Sequence, residues 1–210
     1  MDESMKTRKE KLIALREMID LETGAINTDF FEYENTLYDK AVRKKSLDFY
    51  INKCQLCEEL NIKRYSDSCG GWGDLNAKVF IIGQSLHRPG ILSGLPFILG
   101  SGYLLDAALR LSGLLRKDVF ITNVVHCHPP RNRGSLESEK KNCLPFLVQE
   151  IRIVSPQLIV ALGNDAHWAT DKIDVKALKV RHPAFFLHSA PEDSIEWIIK
   201  LSNEIDKVYK

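Results

Sequence analysis

Val119-Phe120-Ile121-Thr122-Asn123-Val124-Val125-His126-Cys127-His128-Pro129-Pro130-Arg131-Asn132-Arg133 is the most informative stretch of the chain. Its first part, Val119 to Thr122, is a short apolar run stopping at Asn123, the pattern of a strand buried on both faces. Two more runs share that form: Val79 to Ile82, ending at Gly83, and Leu158 to Leu162, ending at Gly163. A weaker fourth, Val175 to Val180, leads into His182. Helical periodicity fills the intervals, at Gly102 to Ser112, Ser138 to Val154 and Asp165 to about Asp171, with a last helix over Ser194 to Val208. Strands alternating with helices predict an α/β fold: a three-layer αβα sandwich around a central, mainly parallel, four-stranded sheet. In such sheets ligands bind beyond the carboxyl ends of the strands. Those ends here carry Gly83-Gln84-Ser85, Asn123, Gly163-Asn164 and His182.

The remaining composition bounds the answer. A chain of 210 residues that is 44% hydrophobic suits one medium domain with an extension. Residues 1–50 are expected to be a polar, helical N-terminal extension, with Leu12, Ile13, Leu15, Met18, Ile19 and Leu21 as its apolar stripe. Residues 51–210 form the domain proper. No run approaches the roughly 18 apolar residues that cross a bilayer, and the charged start, Met1 to Glu10, lacks a secretory core. A cytoplasmic protein with no membrane partner, acting as a monomer, is the expectation. The net charge of +1 argues against an indiscriminately basic nucleic-acid binder. It averages over unlike parts, however: Lys78 to Arg152 holds ten Lys/Arg against five Asp/Glu, a local +5.

Five cysteines are an odd count for a disulfide framework. Cys54 and Cys57 form a C-x2-C pair; Cys127 and Cys143 follow, with fifteen residues between them. By residue type the four suit zinc or an iron–sulfur cluster alike. Cys69, in a glycine-rich loop, stands outside the set.

Taken in order, these segments resemble the uracil-DNA glycosylase superfamily, closest to its iron–sulfur family 4 and the related family X, over about residues 54–187. The resemblance rests on residues 119–133, on Pro96-Phe97 followed by Gly102 and Leu104-Leu105-Asp106, on Cys143-Leu144-Pro145-Phe146-Leu147, on Pro156 to Gly163, and on His182-Pro183-Ala184, similar to the family's HPS/HPA motif. It implies a monofunctional glycosylase that hydrolyses the N-glycosidic bond of a flipped pyrimidine in single- or double-stranded DNA, leaving an abasic site for base-excision repair. It also implies a structural [4Fe–4S] cluster on Cys54, Cys57, Cys127 and Cys143, with zinc as the alternative.

The implied roles suit the residue types. Asn123 would read the base edge, since an amide both donates and accepts. Phe97 would stack on the extruded base, a contact worth about 1–3 kcal/mol. His182 would stabilise charge developing on the departing base. Phe185 or Phe186 would fill the gap left by the base, and Arg131 and Arg133 would hold phosphates.

The first strand-end loop departs from the family. Family 4 carries GEAPG followed by acidic residues. This chain has Gly83-Gln84-Ser85-Leu86-His87-Arg88-Pro89-Gly90, with no Asp or Glu before Pro96. Gln84 could position the attacking water through its amide, and His87 could act as a base. With Ser85, His87 would line a pocket for uracil or for a larger modified pyrimidine, such as a modified viral base met in antiviral defence. The missing carboxylates also leave open a non-catalytic module that recognises a modified base.

Overall fold

A computed structural model describes residues 37–63 and 66–209; the apolar stripe at residues 12–21 lies outside them. Helix α1 (Leu37–Lys53) comes first, then strands β1 (Trp72–Gly73) and β2 (Val79–Ser85), and helices α2 (Arg88–Ser93) and α3 (Gly102–Leu111). Strand β3 (Phe120–Val125), helix α4 (Glu137–Val154), strand β4 (Leu158–Leu162), helix α5 (Asn164–Lys172) and strand β5 (Leu178–Val180) follow. Helices α6 (Pro183–His188) and α7 (Ser194–Tyr209) complete the described chain.

The sheet runs β1-β3-β2-β4-β5. Strands β2 to β5 are parallel, as expected, but the sheet has five strands rather than four. The addition is β1, which pairs antiparallel with β3 through Trp72–Ile121 and Gly73–Phe120. Two residues in a glycine-rich loop leave no periodicity to read. The chain steps from β2 to β3 on one side, then to β4 on the other, so a crevice opens outside the strand ends around β2.

Alternation sorts the strand side chains into two cores. Phe80, Ile82, Phe120, Val124 and Ala161 meet Leu144, Leu147 and Val148 of α4 and Ala166 and Ala169 of α5. On the opposite face Val79, Ile81, Ile121, Val160 and Leu162 meet Leu105 and Leu109 of α3, Phe186 of α6, and Trp197, Leu201 and Ile205 of α7. The result is the three-layer sandwich. Helix α1 packs outside it, with Leu47 and Ile51 against Phe146 and Ile153 of α4, and it continues past residue 50. No described helix is long and apolar enough to cross a membrane.

One buried polar centre ties α1, β3 and α4 together. Glu150 accepts from the Gly71 N–H at 2.6 Å and the Thr122 hydroxyl at 2.5 Å, and pairs with His126 Nε2 at 3.1 Å. Lys44 approaches to 3.8 Å. Burial alone would raise the carboxyl's pKa, but His126, Lys44 and Thr122 hold it below the ordinary value.

Candidate active site

Strands β2 and β3 bring the pocket together through their register, which sets Gly83 opposite Asn123. A Cβ at Gly83 would lie 2.1 Å from the Phe97 ring and 2.6 Å from Asn123 Oδ1. The missing side chain is therefore the space in which ring and amide sit. Asn123 is only 3% exposed, and its Oδ1 has no hydrogen-bond partner. Leaving a buried acceptor unpaired costs about 1–3 kcal/mol, so the site favours a ligand that supplies a donor.

His182 caps the start of α6, its Nδ1 accepting the Ala184 N–H at 3.1 Å. That bond leaves the neutral ring's proton on Nε2. Burial pushes the His182 pKa down to about 4, so at neutral pH the ring is an uncharged Nε2–H donor. The Phe97 ring lies 5.6 Å from it, centroid to centroid, tilted by 31°. Asn123, Phe97 and His182, expected from three separate segments, thus meet at one place.

A cleft of about 720 Å³ opens beside them, lined by Gln84, Ser135, Gly163, Asp165, Lys179, Arg181, His182 and Phe185; Asn123 and Phe97 are buried behind that lining. Of the rebuilt first loop, Gln84 faces this cleft, while Ser85 and His87 are not in its lining. His87 instead directs Nε2 at the Ile98 carbonyl, 2.6 Å away, and burial lowers its pKa.

Two expected DNA contacts are engaged elsewhere. Phe186 is buried, its ring 5.8 Å from that of Trp197, and belongs to the core rather than to a wedge. Phe185 lines the cleft, with the Arg181 guanidinium 4.1 Å above its ring. The next residue, Leu187, is 41% exposed and is the apolar tip that α6 presents. Arg133 is held by Glu139 at 2.6 Å and Glu59 at 3.2 Å, whereas Arg131 is exposed, in a left-handed turn at φ +55°.

Asp165, Lys179 and Arg181 were not anticipated from the sequence. Asp165 stands in the first turn of α5, just beyond the β4 end, so the strand-end rule is the available signal; it pairs with Lys140 at 3.0 Å. Asp165 supplies a carboxylate on the cleft wall, at a different strand end from the loop where one was expected.

The four cysteines come from three places: the segment after α1 (Cys54, Cys57), the end of β3 (Cys127) and α4 (Cys143). None of them is in a disulfide. Burial pushes the thiols of Cys127 and Cys143 well up, and the other thiols of the set add to the shift. Several donors nevertheless point at sulfur: the Asn61 N–H at Cys127, the His126 N–H at Cys143, and Asn142 Nδ2 at Cys57, 3.3 Å away. Among the described residues no three or more His, Cys, Asp or Glu are gathered closely enough to hold a metal ion. Cys69 lies apart, its thiol on the Gly94 carbonyl at 3.0 Å and its pKa pushed up to about 11 by burial.

This chain is similar to curated proteins named Type-4 or Type-5 uracil-DNA glycosylase. It is 40% identical over 108 residues to a Type-4 uracil-DNA glycosylase of Pyrobaculum aerophilum, covering 51% of this chain and 55% of that protein. It is 37% identical over 132 residues to one of Thermotoga maritima (62% and 68%) and 34% over 123 residues to one of Archaeoglobus fulgidus (58% and 62%). The matched part is thus between about half and two thirds of those relatives' length. A family model described as the uracil DNA glycosylase superfamily matches residues 71–205, from the edge strand β1 into α7. That match takes in every described strand together with Asn123, Phe97 and His182, and by it the chain belongs to the uracil DNA glycosylase superfamily.

Proposed function

We propose that this chain is a DNA glycosylase acting on a pyrimidine flipped out of the stack. The observation that carries the reading is the buried, unpartnered Asn123 Oδ1 beside an aromatic ring and a neutral histidine donor. A base entering there would stack on Phe97, give Asn123 the donor it lacks, and receive the Nε2–H of His182 on a ring carbonyl. As the N-glycosidic bond breaks, negative charge collects on that oxygen. A positioned donor at developing charge lowers such a barrier by about 3 kcal/mol. Gln84, on the same cleft wall, would orient water through its amide, and Arg131 would steady a phosphate. The water oxygen bonds to C1′ as the C1′–N1 bond breaks, its proton passes to the departing base, and the products are an abasic site and the free base.

Uracil is the substrate named for the relatives. A modified pyrimidine is the alternative, motivated by the absence of any Asp or Glu between Gly83 and Pro96. The cysteine set fits a [4Fe–4S] cluster in its chemistry: four thiols from three segments, with backbone and amide N–H groups aimed at sulfur. Cys54, Cys57, Cys127 and Cys143 would hold it, and it would supply a structural tie between α1, β3 and α4.

Single- and double-stranded DNA carrying uracil or a modified pyrimidine, incubated with purified protein, should yield abasic product, and His182→Ala and Asn123→Ala should lose most of it. A binding module is the second reading, favoured by the absence of any carboxylate between Gly83 and Pro96. Tight binding of one such DNA with no abasic product after long incubation would establish it in place of the first.

A further inference from the structure

The base platform is held in an unfavourable backbone shape. Phe97, Leu99 and Gly100 all have positive φ, at +58°, +63° and +54°. Left-handed backbone is costly for residues with a Cβ, so something outside the loop must hold it. Resting on the glycosylase reading of Phe97, we propose that Arg116 and His87 are positioning residues that clamp this loop and so set the angle of the stacking ring.

Three consecutive carbonyls of the loop are captured by side chains. Arg116 Nη1 donates to the Pro96 oxygen at 2.9 Å, and Nη2 to the Phe97 oxygen at 2.5 Å. His87 Nε2 meets the Ile98 oxygen at 2.6 Å. The fork also touches the Gly102 carbonyl at 3.4 Å and is braced by Asp106 of α3, which accepts from Nε at 2.5 Å. A guanidinium suits this work because its donors lie in one rigid plane; a lysine offers a point charge.

Gly102 makes room for the fork. A Cβ there would fall 1.7 Å from the Phe97 oxygen and 2.7 Å from Arg116 Nη2. Arg116 also opens the segment that becomes β3 and reaches Asn123. The clamp and the base-reading amide are therefore ends of one rigid piece, which fixes the distance between platform and reader. His87, in the loop that lost its acids, holds the loop rather than attacking the substrate.

Hydrogen–deuterium exchange on the full-length protein tests the clamp without reference to activity. Arg116→Ala should speed exchange in peptides covering residues 95–103 and leave those of β2 and β4 unchanged. Arg116→Lys should restore protection only in part, and His87→Gln, which keeps a donor, should restore more than His87→Ala. The second arm measures affinity for a duplex with one non-hydrolysable 2′-fluoro-2′-deoxyuridine against the same duplex with thymidine. Phe97→Ala should cost roughly tenfold of the base-dependent part, Arg116→Ala a comparable factor, and the double variant little more than either. Unchanged exchange in Arg116→Ala, or single effects that multiply in the double variant, would overturn the clamp. A wild type with no preference for the uracil analogue would instead count against uracil as the target, and the exchange arm alone would then decide the clamp.

Discussion

Acidification should expose the buried state of His182. Its pKa falls from an ordinary 6.5 to about 4 on folding, because burial penalises the charged ring. Above pH 6.5 the ring is neutral in both folded and unfolded chains and contributes no pH dependence. Below it, the unfolded chain takes up a proton that the folded chain refuses, so stability declines until the folded ring also protonates near pH 4. Each pH unit in that window is worth about 1.4 kcal/mol, giving about 3 kcal/mol in all. Urea unfolding of the wild type and of His182→Gln, at about pH 7 and about pH 5, isolates the effect, since the other titrating groups are common to both. The wild type should lose about 2 kcal/mol more than the variant between those conditions. An NMR titration of the ring should place its midpoint near 4. Equal pH dependence of the two proteins, or a His182 midpoint at about 6, would refute the neutral-donor argument.

Three further expectations are simpler to score. Gly83→Ala puts a methyl group 2.1 Å from the Phe97 ring, so the ring must move by roughly 1 Å to regain ordinary contact; a shift of that order should cost about a hundredfold in glycosylase rate while the chain stays folded, and a fully active variant would contradict the pocket geometry. Cys127→Ala and Cys143→Ala should each lose bound iron and acid-labile sulfide and melt earlier, whereas Cys69→Ala should keep both; full iron in the first two would remove them from the ligand set. Arg131→Ala should lower the slope of log affinity against log salt by about 1. Arg133→Ala should leave that slope unchanged and reduce stability instead, because it strands the buried Glu139.

The parts of the fold legible in sequence are those whose burial is two-sided. Val79–Ile82, Phe120–Thr122 and Leu158–Leu162 face helices on both sides, so their composition alone announces strands. Strand β5 is shorter than its apolar run because it forms the sheet's edge, where Lys179 is exposed. Asn123 and His182 could be picked out because they lie toward the carboxyl ends of their strands, where such sheets bind ligands, although β3 continues past Asn123 to Val125. Phe185 and Phe186 could not be told apart, since a helix of six residues shows too little periodicity to say which side chain turns inward. The partners of Arg116, Arg133 and His87 are backbone oxygens or carboxylates distant in sequence, or in a loop with no regular pattern. Such pairings exist only after folding.

The cross-strand pairing of Gly83 with Asn123 makes the chain unequally tolerant of changes in length. Inserting or deleting one residue between Phe120 and Asn123 would turn the amide from the pocket side toward α4 and bring Thr122 or Val124 to face the gap at Gly83. The same change near Asp174, on an exposed turn between α5 and β5, alters no register around the pocket. Length variation among working versions of this protein should therefore collect in such turns and be absent from β2 and β3, however freely the individual side chains of those strands are exchanged.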